Sequence, residues 1–426
     1  MKTFDELLPG LQSAFESQYE NLGKIDRLIV NRDLNGVIRL VADGKKKQNK
    51  EQQKVLDSIK EAIIENIGDR LPSEHPILYE QNLDEIIQGK PHFDLEGFKN
   101  VTIVDRMLSE SDWTNISPVS TGTPRFVFFS LKGGVGRTTA LAVGAWYLAE
   151  MGKKVMVLDI DLQSPGLSDS LLPLERCPKY GITDWLVEDL LNNGSIVFQD
   201  MMATSELSRN GEIFVIPAHG KEPGEYIAKL GRAWMSKTNH EGIRELWQER
   251  LNRLIGELEN KWKPDVILID SRAGIDEVSS ACITSLGAKK IFLFALNNEQ
   301  TWKDYAILFN HWQRSNSIID IRERLQTVAA MLPDIDTEKH ALSLCENSWN
   351  LFINTCYDDI QAGDSFGEPF NFDLSDRDAP HFPWEIQWSR GLTTLQNLYS
   401  LFLTIDKEQV STLFGQLVRG IAENVE

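Results

Sequence analysis

The sequence predicts an α/β protein: a doubly wound, mainly parallel sheet with helices on both faces, preceded by a small α+β N-terminal module. Three observations predict it. From residue 125 onward, short continuously apolar runs alternate with helical periodicity, which is the pattern of strands buried on both faces. Three of these runs end in polar residues that can carry chemistry, Ser130, Asp159 and Asp270. The first run passes through a glycine-rich turn straight into a helical run, 139–151.

That turn reads Ser130-Leu131-Lys132-Gly133-Gly134-Val135-Gly136-Arg137-Thr138-Thr139. A glycine-rich turn between strand and helix brings bare backbone N–H groups against phosphate oxygens, and the helix N-terminus adds positive potential. Gly133, Gly134 and Gly136 supply the dihedrals and the close approach, and Thr138 is placed to offer its hydroxyl to Mg²⁺. The run resembles the deviant Walker A loop of the ParA/MinD/Mrp/ArsA-like P-loop ATPases, K-G-G-x-G-K-[ST]. It matches at Lys132, Gly133, Gly134, Gly136 and Thr138, and departs at Arg137, which places it with the K-G-G-V-G-R variant subset. The resemblance implies ATP and Mg²⁺ as ligands, held by Gly133, Gly134, Val135, Gly136, Arg137, Thr138 and Thr139. It also implies that Lys132 acts across a nucleotide-sandwich homodimer. Arginine keeps the charge of the usual lysine but is bulkier and planar, so ATP binding is expected to survive better than efficient hydrolysis.

Two further strand ends follow in order. The run from Lys154 ends in Asp159-Ile160-Asp161, and alternate residues at a strand end share a face. By resemblance Asp161 orients the attacking water and Asp159 lies near the metal or its water shell. The third run, 266–269, ends in Asp270-Ser271-Arg272-Ala273-Gly274. This resembles a Walker B strand running into switch II, with Asp270 in the magnesium shell and Gly274 able to swing toward the γ-phosphate. Metal-shell candidates are therefore Thr138, Asp159 and Asp270; catalytic candidates are Lys132, Arg137 and Asp161. Arg272 reads as an ion-pair partner, with phosphate or a dimer partner as the alternative.

The remaining elements support the same layout. Strands are predicted at 126–130, 155–159, 213–217, 266–270, 291–295 and 327–331, so the motifs fall together beyond the strands' carboxyl ends. His219 follows one strand as a turn residue, and Asn297 and Asn298 precede a helix at Thr301 that they are placed to cap. Residues 373–388, rich in proline and tryptophan, fall where the family often closes over adenine; a packed loop is the alternative, and no base contact is assigned. The last helix carries Val410, Leu413, Phe414, Leu417, Val418 and Ile421 on one face. Its polar side holds Glu408, Gln409, Gln416, Glu423 and Glu426 with only Arg419, which argues for docking onto the core rather than onto a membrane.

Domains are predicted at 1–116, a module of unstated role, and 125–426, the ATPase domain, joined by a Ser/Thr/Pro-rich linker at 117–124. In the module, 25–30 and 37–42 read as a hairpin closed by Asn35-Gly36. Asn49 caps a helix bearing Val55, Ile59, Ile63 and Ile67, and 71–100 reads as irregular with short helices.

Of 426 residues, 42% are hydrophobic and 25% charged, which supports a full core. The net charge of −19 opposes nonspecific DNA binding, which needs several cations facing phosphate. The best basic run, Lys45-Lys46-Lys47 with Lys50 and Lys54, reads as a solvated helix start. Cys177, Cys282, Cys345 and Cys356 are scattered, with no CxxC pair, and the seven histidines lack metal spacing. No apolar run reaches membrane length, and the opening Met1-Lys2-Thr3-Phe4-Asp5-Glu6 lacks the form of a secretion signal, so a cytoplasmic location is expected. The expected function is a Mg-dependent ATPase switch that controls a partner protein. The alternatives are an ATP sensor without hydrolysis, a bacterial-type tyrosine kinase, which the tyrosine-free terminus disfavours, and a DNA-partition ATPase, which the charge disfavours.

Overall fold

The computed structural model describes residues 3–425 apart from 48, 89, 108–111, 239–241, 360–368, 390–397 and 404–406; Met1, Lys2 and Glu426 lie outside the described residues. The chain divides into one unit of Met1–Asn115 with His311–Ser317, and another of Ile116–Asn310 with Ile318–Glu426.

In the first unit a local turn sets the register. β1 (Leu28–Arg32) and β2 (Ile38–Asp43) pair antiparallel. Between them the Asp33 carboxylate accepts the backbone N–H groups of Asn35 and Val37, both at 2.9 Å, while Gly36 takes φ +73°. That combination of an acidic side chain turning back on its own backbone and a left-handed glycine is what the Asp33/Gly36 spacing supplies. The helix Lys50–Ile67 starts at Asn49, whose side chain accepts from Glu51 and Gln52, and it buries Val55, Ile59, Ile63 and Ile67.

Two expectations for this unit need correction. The segment 71–100 is not irregular: it contributes β3 (Ile77–Glu80) and β4 (His92–Leu95). With β5 (Phe98–Asp105) these complete a five-stranded mixed sheet of order β3-β2-β1-β5-β4. β3 and β4 are four residues each and only partly buried, so pairing with buried neighbours, not their own pattern, makes them strands. The helix Leu7–Ser17, absent from the sequence reading, buries Leu7, Leu11, Ala14 and Phe15 in the same core as Ile59 and Ile63.

The second unit is built on β6 (Arg125–Ser130), buried at all six positions. Then come β7 (Lys154–Asp159), β8 (Ala203–Thr204), β9 (Glu212–Ile216) and a two-strand ribbon of β10 (Lys237–Thr238) and β11 (Arg244–Glu245). β12 (Val266–Asp270), β13 (Lys290–Ala295), β14 (Leu325–Leu332) and β15 (Trp384–Gln387) complete the set. The eight-stranded sheet has the order β15-β14-β13-β6-β12-β7-β9-β8, parallel except for β8 against β9. All six predicted core strands are present, with ends shifted by at most two residues.

Strand order reverses on either side of β6, so the crevice at its carboxyl end is the topological switch point where such sheets take ligands. Within the stretch 373–388, residues Trp384–Gln387 are a strand and not a loop. They form β15, with the Trp384 ring 5.5 Å from Phe292. The helix Lys407–Glu423 buries Val410, Phe414, Leu417, Val418 and Ile421 in the core shared with the helix Arg137–Glu150. Among the described residues no helix is long and apolar enough to cross a membrane.

Candidate functional site

β6 ends at Ser130, and the chain turns through residues 131–136 into the helix Arg137–Glu150. Gly134 and Gly136 have φ of +74° and +78°, backbone conformations that an L side chain would strain. The result is a cavity of about 220 Å³ lined by Ser130 and residues 133–139. Gly133, Gly134, Val135, Gly136, Arg137, Thr138 and Thr139 thus share one concave wall at a helix N-terminus, where backbone donors and helix dipole favour an anion.

Beside that wall stand the ends of β7 and β12. Ile160 N–H donates to the Asp270 carbonyl at 3.0 Å and Gly274 N–H to the Ser130 carbonyl at 2.9 Å, which ties both strand ends to the loop's root. Asp270 is 1% exposed and both its carboxylate oxygens are engaged. Oδ1 accepts from Arg137 Nε at 2.7 Å, and Oδ2 accepts from the Thr138 hydroxyl at 2.7 Å. The other two guanidinium nitrogens of Arg137 are also placed: Nη1 donates to Ser130 Oγ at 3.1 Å and Nη2 lies 3.6 Å from Asp161 Oδ2. Burial works against the Arg137 charge, but Asp270, Asp161 and Asp159 outweigh it and hold its pKa above the ordinary value.

Asp161 lies between two cations, with Arg272 Nε at 4.0 Å on its other side. Burial nevertheless raises its pKa, with Arg137 opposing the shift. Asp159 takes a different position. Its Oδ2 accepts the N–H groups of Gly166 and Leu167 at 3.2 and 3.1 Å and so anchors the start of the short helix Leu167–Leu171. Its Oδ1 is buried without a hydrogen-bond partner. Burial first, then the negative charge of Asp270, pushes the Asp159 carboxyl up to about 8.

An orphaned buried carboxylate oxygen is costly unless something polar meets it, and a hard cation with its water shell is such a partner. Among the described residues no three His, Cys, Asp or Glu side chains converge on a metal position by themselves. Thr138, on the cavity wall, is hydrogen-bonded to the buried Asp270, so two hard oxygens stand together beside the cradle, a donor pair that suits a cation that keeps several waters.

Residues 125–285 match the family model described as an AAA domain. The matched stretch holds the glycine-rich loop after β6 and the ends of β7 and β12. No curated protein matches the chain. Among solved structures it is similar to the MinD cell division protein of Aquifex aeolicus, at 18% identity over 71% of this chain and 98% of that one, with a TM-score of 0.43. It is also similar to a putative plasmid partition protein of Borrelia burgdorferi B31 bound to AMPPNP, at 15% identity over 71% and 99%, TM-score 0.45. A third is cobyrinic acid a,c-diamide synthase of Mycobacterium smegmatis with bound ATP analog and magnesium, at 16% identity over 53% and 82%, TM-score 0.39.

The other predicted residues sit as follows. Lys132 is 42% exposed in its side chain, with Nζ 3.8 Å from Asp304 Oδ2 on the helix Glu299–Arg314. Gly274 takes φ +102°, and its carbonyl accepts from the Ser279 hydroxyl at 2.6 Å. Arg272 donates to Asp276 at 2.6 Å. Asn298 caps the following helix through Thr301 N–H at 2.9 Å, and Asn297 bonds His340 instead. His219 hydrogen-bonds the Gly220 carbonyl at a turn.

Two residues at the site escaped the sequence reading. Tyr226 donates its hydroxyl to the Leu162 carbonyl at 2.6 Å, immediately after Asp161, from a helix whose range no motif marks. Met331 takes φ +55° where the β14–β15 register shifts, and its side chain lies against Gly136. A β-bulge leaves no signal in composition, so only the fold reveals it.

Proposed function

We propose that this protein is a Mg-dependent ATP-binding and hydrolysing switch that works as a nucleotide-sandwich homodimer and controls a partner protein. The observation that carries this reading is the meeting of Thr138, Arg137 and Asp161 around Asp270 beside a glycine-lined anion cradle. The backbone of residues 133–139 holds the phosphates and excludes water from one side. Thr138 and Asp270 hold the cation, with Asp159 Oδ1 facing its water shell. Mg²⁺, when bound, would neutralise phosphate charge. Asp161 orients the attacking water, and Gly274, whose N–H is bonded to the Ser130 carbonyl in this structure, would leave that bond to swing toward the γ-phosphate. Lys132, exposed beside the loop, reaches a partner copy's phosphates.

A second reading, an ATP sensor with little turnover, has one observation in its favour. Arg137 stands in place of the usual loop lysine and pairs with both Asp270 and Asp161, which ties the water-orienting carboxylate to a bulky planar cation. The test is ATP turnover of the pure protein with Mg²⁺, with Asp161→Ala and Lys132→Ala alongside and mass followed in solution. The switch reading expects turnover that both variants lose by about 10²-fold or more, with ATP-dependent dimerisation lost in Lys132→Ala. ATP binding without turnover in the parent protein would favour the sensor.

A further inference from the structure

The turn that follows Asp161 is held from outside the motif strands. Within it, Ser164 N–H donates to the Asp161 carbonyl and to Asp161 Oδ1, both at 3.2 Å, so the turn's own backbone grips one oxygen of that carboxylate. Leu162, buried in the same turn, accepts the Tyr226 hydroxyl on its carbonyl at 2.6 Å. Tyr226 opens the helix Tyr226–Ala233, and its neighbours fix its ring. The His219 ring stands edge-on to it with centroids 5.1 Å apart, and the Thr183 hydroxyl lies 3.4 Å from its oxygen. Lys229, further along that helix, pairs with Asp184 at 2.6 Å, which ties the helix to Ile182–Asp189. Burial first, then the negative charges of Asp159, Asp184 and Asp161, push the phenol up to about 12 against the opposing Thr183 contact. It is therefore a proton donor across the neutral range, which suits a carbonyl acceptor.

We propose that Tyr226 is a positioning residue: its hydroxyl pins the turn of residues 161–164 and thereby sets the direction in which the Asp161 carboxylate points. This rests on the reading of Asp161 as the carboxylate that orients water, and it gives that site a determinant carried by a separate helix. A carboxylate acts on water only within hydrogen-bond reach, and small misplacements of such a group are expensive. Asp161 Oδ2 lies 3.6 Å from Arg137 Nη2, too long for a direct hydrogen bond, so the ion pair directs that oxygen weakly. The tighter restraint is the turn, because Ser164 N–H meets Oδ1 only where the backbone of 162–164 puts it. Removing the phenolic O–H leaves a buried carbonyl without that donor and frees the same backbone to take other arrangements.

Tyr226→Phe keeps the ring against His219 and removes only the oxygen. ATP turnover with Mg²⁺ should lose about tenfold in kcat, within what a misplaced group costs, while KM for ATP stays as in the parent protein. In an Asp161→Asn background the same substitution should cost nothing further, because the group it positions has already gone. Hydrogen exchange gives a readout that needs no nucleotide. Amides of residues 162–166 should exchange about three- to tenfold faster in Tyr226→Phe, the range one hydrogen bond supports, with Val266–Asp270 unchanged. Unchanged exchange at 162–166 overturns the proposal, as does an unchanged kcat or an equal further loss in the Asp161→Asn background. Faster exchange that spreads to Val266–Asp270 marks a loosened fold and overturns it too. Absence of turnover in the parent protein removes the hydrolysing switch, and the exchange comparison then decides alone whether Tyr226 holds the turn.

Discussion

At the residue scale, this chain repeatedly satisfies a buried carboxylate with arginine. Asp270 is one case; Asp189 is another, and it lies outside the candidate site. Asp189 is 4% exposed and receives Arg250 Nε at 2.8 Å, Arg253 Nη2 at 2.9 Å and Lys237 Nζ at 3.1 Å. Burial pushes its pKa up, but these three donors outweigh burial and the net shift is downward. A carboxyl whose folded pKa is depressed stabilises the fold above its unfolded value, and that contribution is lost as pH falls through the folded one. Asp189→Asn should therefore cost about 3–5 kcal/mol near neutrality, because Arg250 is left buried and unbalanced. Below about pH 4 the gap between variant and parent should narrow. Thermal unfolding from pH 7 to pH 3 checks both; a gap independent of pH would contradict the assignment.

At the element scale, the core strands were legible and the edges were not. β6, β7 and β12 are continuously apolar runs ending in Ser130, Asp159 and Asp270, and burial on both faces leaves that mark directly in composition. β3, β4 and β15 are four residues long and partly exposed, so pairing with a neighbour creates them and no local pattern announces them. The identity of the candidate site residues was readable from motif spacing. That Arg137 would hold Asp270 and Asp161 was not, because spacing places a side chain at a loop without saying which partner it takes when phosphate is absent. β15 also gives the last helix its footing. A Cβ at Gly420 would meet Trp384 Cη2 at 2.5 Å, with two more ring atoms within 2.8 Å. Gly420→Val should destabilise the protein by about 1–3 kcal/mol through overpacking. Trp384→Ala in the same background should relieve the clash, so a double-mutant cycle that is additive within error would rule out this packing.

At the scale of the whole molecule, a −19 net charge works against nonspecific phosphate-backbone binding, while the glycine-lined cradle at the switch point favours one local anion. If the proposed sandwich homodimer forms through Lys132, Lys132→Ala should keep ATP affinity in the monomer while losing ATP-dependent mass doubling in light scattering. The proposed switch requires that ATP enter at residues 133–139. Calorimetric titration of ATP with Mg²⁺ into the parent protein and into Asp270→Asn tests that most directly, with circular dichroism confirming that the variant is folded. The account predicts saturable binding in the parent protein, weakened about tenfold or more (~1.4 kcal/mol) in the variant. Absence of binding in the folded parent protein, or equal affinity in both, would contradict it.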